Sequence, residues 1–270
     1  PKQGIRLSSF FGEELILGSY LSRLLPILIG VFFMTNYSKK NINIFLFSIF
    51  LIFTIILIYL TGERAAFFLT ILSITYLIVM INKYSKNIAI TFFVSFIFIT
   101  IINLNSPSIQ ERMISYTKDQ LGLSDTSVNS SYVYKGHFLI ARDLFKENPI
   151  LGVGPKNYIQ HCNNNQKFQV PPYVCTSHPH NTYVQLLAET GLLGTFMVFF
   201  LFIFISYLSA KHIFLKLFKN KNLFSFQEIC IISSILITLW PLITSGSFFN
   251  NYLNVIYFYP IGIFLWLRRI

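Results

Sequence analysis

The chain has 270 residues, 54% of them hydrophobic and only 11% charged, with 30 Phe and a mean hydropathy of +0.60. A water-soluble domain carries about 25% charged residues, so the composition excludes an ordinary soluble enzyme and points to lipid as the solvent. The net charge of +11 lies in short basic clusters between apolar runs, the pattern of cytoplasmic membrane loops, and not in the single stripe that a nucleic-acid partner would need.

Seven apolar runs are long enough to be considered as spans, since a crossing helix needs about 20 residues. They are Leu15–Met34, Ile42–Leu60, Ala65–Ile81, Ile88–Leu104, Thr182–Ala210, Glu228–Thr244 and Asn251–Leu267. The runs are continuous and do not alternate, which predicts helices and excludes barrel strands. The expected fold is therefore all-α, a polytopic transmembrane helix bundle of about seven spans with a long external loop carrying short helices. The first run is the weakest, because it holds Arg23 and Pro26. Pro1–Glu14 starts too polar for a signal peptide, and with no initiator Met the sequence reads as a piece of a longer membrane protein.

Charge sets the orientation. One set of alternate loops carries Lys39 and Lys40, Lys83 and Lys86, Lys211, Lys216, Lys219 and Lys221, then Arg268 and Arg269. The opposite corners carry Arg64 alone, so the first set is cytoplasmic by the positive-inside rule. Residues 1–104 then form N-terminal transmembrane helices, 105–179 an external loop, and 180–270 C-terminal transmembrane helices. Arg64 breaks the charge pattern. It reads either as an interfacial arginine beside Glu63, snorkelling to headgroups, or as an anion clamp facing the loop.

Within the loop, a short helix is expected around Ile109–Lys118. A better-defined helix over Ser130–Glu147 places Tyr134, Phe138, Ala141 and Phe145 on one face and Lys135, Arg142 and Lys146 on the other. Such a helix is expected to lie on the bilayer, apolar face down, and Lys135 or Arg142 could supply a cation for a phosphate. Gly152-x-Gly154-Pro155 has no preceding strand and reads as a turn, not a nucleotide loop. Cys162 and Cys175 flank an insert rich in Asn, Gln and Pro. They pair if the loop faces an oxidising compartment, stay as free thiols otherwise, or join His161, His178 and His180 as zinc ligands. The spacing matches no strong zinc pattern, which favours the disulfide and no metal.

Pro179-His180-Asn181 opens the next helix, with asparagine as its cap. Asn181, Gln185 and Glu189 recur at i, i+4, i+8 and make a polar stripe on an otherwise apolar helix. A carboxylate there is expected to face the bundle interior or a water-filled cavity. Gly191 and Gly194 are expected to let another helix approach.

These residues resemble the O-antigen ligase/O-antigen polymerase superfamily of bacterial membrane glycosyltransferases. The family pattern of His-Asn, nine residues, Gly, two residues, Gly is met by His180-Asn181, Gly191 and Gly194. P-I-L-G-V-G-P-K-N-Y at 149–158 is similar to the family's proline-glycine segment. T-G-E-R at 61–64 is similar to its Thr-Gly-Ser-Arg turn, with Glu63 in place of the small residue. R-L-S-S-F-F-G-E-E-L-I-L-G-S-Y-L at 6–21 resembles the polymerase branch in particular. The resemblance implies a GT-C-like enzyme of the bacterial inner membrane whose active site lies on the periplasmic face. It implies a donor glycan on undecaprenyl diphosphate and an acceptor that is either lipid A-core or a carrier-linked repeat. It also implies that about half of the helices precede this sequence.

By the same resemblance His180 and Arg64 are the key catalytic residues. From its spacing, the polar stripe of Asn181, Gln185 and Glu189 is expected to contact substrate; the family's second arginine has no clean counterpart here, and Arg142 or Lys135 is expected to stand in for it. The chemistry agrees. The diphosphate is already a good leaving group and needs its growing charge neutralised, which a guanidinium does in bidentate fashion. The acceptor hydroxyl needs a base, and histidine suits that near neutral pH. No cofactor is required. The competing class is a transporter using Glu189 and the polar stripe as an ion path, but the sequence has no inverted repeat and no paired broken helices.

Overall fold

The computed structural model describes residues 7, 9–11, 15–35, 41–120, 128–164 and 175–268. Lys39, Lys40, Ser124, Arg269, residues 6, 8 and 12–14 of the 6–21 segment and residues 165–174 of the cysteine-flanked insert lie outside them. After a turn of 3-10 helix at Ser9–Phe11, the elements are α1 (Leu17–Met34), α2 (Asn41–Leu60), α3 (Arg64–Met80), α4 (Ser85–Asn105), α5 (Pro107–Gln110), a π-helical turn (Glu111–Ser115), α6 (Tyr116–Gln120), α7 (Val128–Glu147), α8 (Tyr158–Asn164), α9 (Thr182–Lys219), α10 (Phe226–Thr238) and α11 (Asn251–Leu267). No strand occurs among the described residues.

Each of the seven apolar runs contains a helix. Four are long and apolar enough to cross a membrane: α1, α2, α4 and α9. Their outward residues are large and apolar, as with Phe45, Phe53, Ile90, Phe93 and Phe200. The expected span Glu228–Thr244 is shorter than read, because α10 stops at Thr238. Trp240-Pro241 follows at once, and proline disfavours helix in the residue before it. Residues 239–250 run on as turns and irregular chain.

The chain divides into two compact units, residues 1–117 with 205–238 and 256–270, and residues 118–204 with 239–255. In the first, α1, α3 and α10 pack through small and hydroxyl side chains. A Cβ at Gly30 would stand 3.0 Å from that of Cys230, which marks a close helix–helix approach. Ser73 and Ser233 share a 2.9 Å hydroxyl–hydroxyl bond, and Ser234 Oγ donates to the Arg23 carbonyl of α1 at 2.7 Å. Arg23 is itself buried and donates from Nη1 to Ser19 O at 3.1 Å.

In the second unit, protein covers part of the apolar face of α7, while Phe138 of that face stays exposed. Ile140, Ala141 and Leu144 are buried against Tyr158 and Cys162 of α8 and Ala188 of α9. The i, i+1, i+4 stripe is equally suited to lipid or to protein, and here α8 and α9 cover it.

Candidate functional site

The Thr61-Gly62-Glu63-Arg64 corner of the first unit is fastened from three sides. Thr61 Oγ1 donates to Ile58 O at 2.7 Å and receives Glu63 N at 3.3 Å, which closes the end of α2. Gly62 turns the chain at φ 71°, and its carbonyl accepts Arg112 Nε at 3.2 Å. The Glu63 carboxylate accepts the first amides of α1, Gly18 N at 2.6 Å and Ser19 N at 3.1 Å. A carboxylate at a helix N-terminus satisfies orphan donors and opposes the helix dipole, so the glutamate at this position has a structural use.

Arg64 opens α3 and lines a cavity of about 510 Å³ formed by residues 59–117 alone. Its walls are mostly aromatic and aliphatic, with Phe67, Phe68 and Phe96 prominent. The polar groups in them include Tyr59, whose hydroxyl donates to Asn103 Oδ1 at 2.7 Å.

In the second unit, three imidazoles meet ahead of α9. The His178 and His180 ring centroids are 4.3 Å apart, and those of His137 and His180 are 5.3 Å apart. His137 shares the buried face of α7 with Ile140, Ala141 and Leu144, and its carbonyl accepts the Tyr158 hydroxyl at 3.3 Å. His178 is held by Ser177 Oγ at its Nδ1, 2.9 Å, and by Thr176 Oγ1 donating to its carbonyl at 2.8 Å. His180 sits in the left-handed region at φ 55°, and its carbonyl accepts Ser245 N at 2.9 Å. Burial lowers all three pKa values below the ordinary histidine range, and the His180 ring adds to the effect on its neighbours, bringing His137 and His178 to about 4. All three rings are therefore neutral near pH 7 and able to accept a proton.

His137 was not singled out in the sequence. Its register with Ile140, Ala141 and Leu144, at i, i+3, i+4 and i+7, was the available signal.

Cys162 of α8 and Cys175 are joined in a disulfide with Cα atoms 5.7 Å apart. Disulfide sulfurs are not thiolates, which removes two of the five ligands a zinc site would have used. Among the described residues, no three His, Cys, Asp or Glu are placed to hold a metal ion.

The polar stripe of α9 is bonded to protein throughout. Asn181 Oδ1 accepts Tyr183 N and Val184 N at 3.0 and 3.1 Å, while its Nδ2 donates to Pro241 O and Ile243 O. Gln185 Nε2 donates to Glu189 Oε2 and to Ser247 Oγ, both at 2.9 Å, and its Oε1 accepts Phe248 N at 2.9 Å. Glu189 is fully buried and accepts Tyr158 N at 3.0 Å through Oε1. The three side chains that the sequence assigned to substrate tie residues 241–248 and the start of α8 to the histidine segment. Lys135 and Arg142 of α7 are exposed, and Arg142 pairs with its neighbour Asp143 at 2.8 Å.

The glycines of the two motif segments serve each other. Gly191 breaks the helix at φ 61°, ψ −158°. Around it the Pro149–Gly154 chain forms four main-chain bonds with α9: Leu192 N to Pro149 O, Leu193 N to Ile150 O, Val153 N to Ala188 O and Gly154 N to Glu189 O. A Cβ at Gly152 would strike the Glu189 carbonyl, and one at Gly191 would strike that of Ile150. The expected partner of Gly191 was another helix. It is the proline-glycine turn, and the space beside Gly194 is filled by Thr190 of its own helix.

The family described as O-antigen ligase matches residues 48–199, a range that holds the Arg64 corner, the three histidines and both halves of the glycine clasp. No curated protein and no solved structure matches the chain.

Proposed function

We propose, from the premise that the chain belongs to the O-antigen ligase family, that it transfers a glycan from undecaprenyl diphosphate to a hydroxyl of lipid A-core or of a carrier-linked repeat, on the periplasmic face of the bacterial inner membrane. The observation that carries this reading is His180, a half-buried imidazole at the head of α9, kept neutral by burial and flanked by two further neutral imidazoles. A neutral, positioned imidazole is what an acceptor hydroxyl needs. In the step, the hydroxyl oxygen bonds to the anomeric carbon as its proton passes to His180. The bond from that carbon to the diphosphate oxygen breaks, and undecaprenyl diphosphate leaves with the electron pair.

Arg64 supports the donor assignment. It gives a largely apolar cavity one guanidinium, the combination suited to a phosphate on a long hydrocarbon chain. Arg142 or Lys135, both exposed on α7, is the proposed second cation. Asn181, Gln185 and Glu189 hold the site and are the proposed contacts to substrate. The disulfide fits an oxidising compartment, and hence the periplasm. A transport path through Glu189 is not favoured, because its carboxylate already accepts Tyr158 N and Gln185 Nε2.

Glycan ladders on gels, in strains lacking the ligase or the repeat-unit polymerase, test the reading and separate its two branches. His180→Ala should abolish transfer and leave carrier binding largely intact. Arg64→Ala should weaken both, and Arg64→Lys should restore only part, because the ammonium lacks the bidentate fork. Full transfer by His180→Ala would overturn the base assignment.

A further inference from the structure

We propose that the Pro149–Gly152 turn is inserted in the bilayer, with Ile150 and Leu151 in the outer acyl region, and that it anchors the histidine segment at a fixed depth. The turn ends in two adjacent large aliphatic side chains that are 66% and 68% exposed. Turn tips in water are built from Gly, Pro, Asn, Asp and Ser, and two such side chains in water would be an exposed apolar patch calling for a partner.

The structure identifies the partner as lipid through what the turn is bonded to. Leu192 N donates to Pro149 O at 2.8 Å and Leu193 N to Ile150 O at 3.2 Å, so the turn lies against α9 at the level of those two leucines. Leu192, Leu193, Phe196 and Met197 are all exposed, and they begin the apolar face of the spanning part of α9. None of residues 182–191 is exposed. From Leu192 to Lys211, the next charged residue, there are roughly 19 steps, about 28 Å at the helical rise of about 1.5 Å per residue. That is close to the hydrocarbon thickness of about 30 Å. The outer hydrocarbon boundary therefore falls near Leu192, and the turn shares that boundary.

The charges flanking the turn agree. Lys146 and Glu147 precede it and Lys156 follows it, all exposed, which is the distribution of an interfacial segment dipping its apolar tip. The consequence is geometric. Because Gly191 breaks the helix where the turn is bonded, Thr182–Thr190 is held outside the hydrocarbon, and His180 precedes it on the water side of that anchor.

The inference rests on the chain being a membrane protein and holds whether or not His180 is the base. Its test therefore reads depth and not transfer. An environment-sensitive fluorophore is attached at Leu151→Cys, in a Cys230→Ala background that leaves the disulfide intact, with the full chain in phospholipid nanodiscs. The expected result is blue-shifted emission, quenched more by a nitroxide high on the acyl chain than by one near its methyl end. The same label at Lys156→Cys should emit as in water. Ile150→Cys repeats the measurement should Leu151→Cys fail to fold. Water-like emission at both turn positions would overturn the proposal. So would blue-shifted emission without lipid quenching, which would mean a protein surface, or quenching strongest from the methyl end.

Discussion

At the scale of single residues, His180 is defined by its neighbours. Its ring lies 4.3 Å from that of His178 and 5.3 Å from that of His137, centroid to centroid. Burial holds its pKa below the ordinary value of about 6.5. Transfer rate should then be flat through neutral pH and fall with acidification along a limb centred below about 6.5, as the base takes up a proton. A limb centred above that value in the pH profile of kcat/KM would contradict a buried neutral base. The flanking pair makes a separate prediction about stability. His137 and His178 have native pKa values of about 4, against about 6.5 when unfolded. Between those limits the unfolded chain binds more protons than the native one, so stability falls as pH drops from about 6.5 toward 4 and is indifferent to these groups above that window. His137→Phe should flatten the acid side of a plot of unfolding temperature against pH, measured in detergent. An unchanged slope would mean that His137 is not neutral in the native state.

At the scale of elements, the glycine clasp is the device that brings the two motif segments together. Gly152→Ala and Gly191→Ala each place a side chain at positive φ and into a facing main chain. Each should cost more than about 1–3 kcal/mol, the range for strained backbone alone, and be read as lost folded yield on size exclusion. Gly262→Ala, where a Cβ meets nothing within 4 Å, should be neutral or slightly stabilising in the α11 helix. Equal loss from all three would refute the clasp. The Cys162–Cys175 bond belongs to this scale too. It closes a sequence separation of 13, which in the chain-entropy model is worth about 3 kcal/mol. Non-reduced peptide mapping should find the pair, and Cys162→Ser with Cys175→Ser should lower the unfolding temperature. Much of this architecture was legible beforehand. Continuous apolar runs located the helices to within a few residues, and His180, Asn181 and the glycines stood out by spacing. Periodicity reports which residues share a face and not what meets it. Of the α7 stripe expected to face lipid, Ala141 is covered by α8 and α9 with its neighbours Ile140 and Leu144 while Phe138 stays exposed, and the Asn181–Gln185–Glu189 stripe, expected to face the interior or a cavity, bonds to residues 241–248 and to Tyr158. The end of α10 was missed because its apolar run continues past Trp240-Pro241, where composition still reads as a span and backbone sterics do not.

At the scale of the whole molecule, the proposed sidedness is supported by two independent arguments. The first is charge. Lys83 and Lys86 flank the α3–α4 connection, Lys211, Lys216, Lys219 and Lys221 cluster at the end of α9, and Arg268 follows α11. Short loops rich in Lys and Arg stay in the cytoplasm. The irregular 241–250 chain carries no charge, and the α2–α3 corner carries only Glu63 and Arg64, both at defined places in the fold. The second argument is redox. The Cys162–Cys175 disulfide lies in the 105–179 segment, and such bonds persist in the periplasm and are rare in the cytosol. Charge distribution and thiol chemistry share no premise, so their agreement carries more weight than either. Residues 105–179 should accordingly be outside the cell membrane. A cysteine introduced as Ser124→Cys, in the Cys230→Ala background, should react with a membrane-impermeant maleimide in intact spheroplasts. A cysteine at Lys221→Cys should react only after the membrane is opened. The reverse pattern would invert the molecule, move His180 to the cytoplasmic face and leave the disulfide in a reducing compartment.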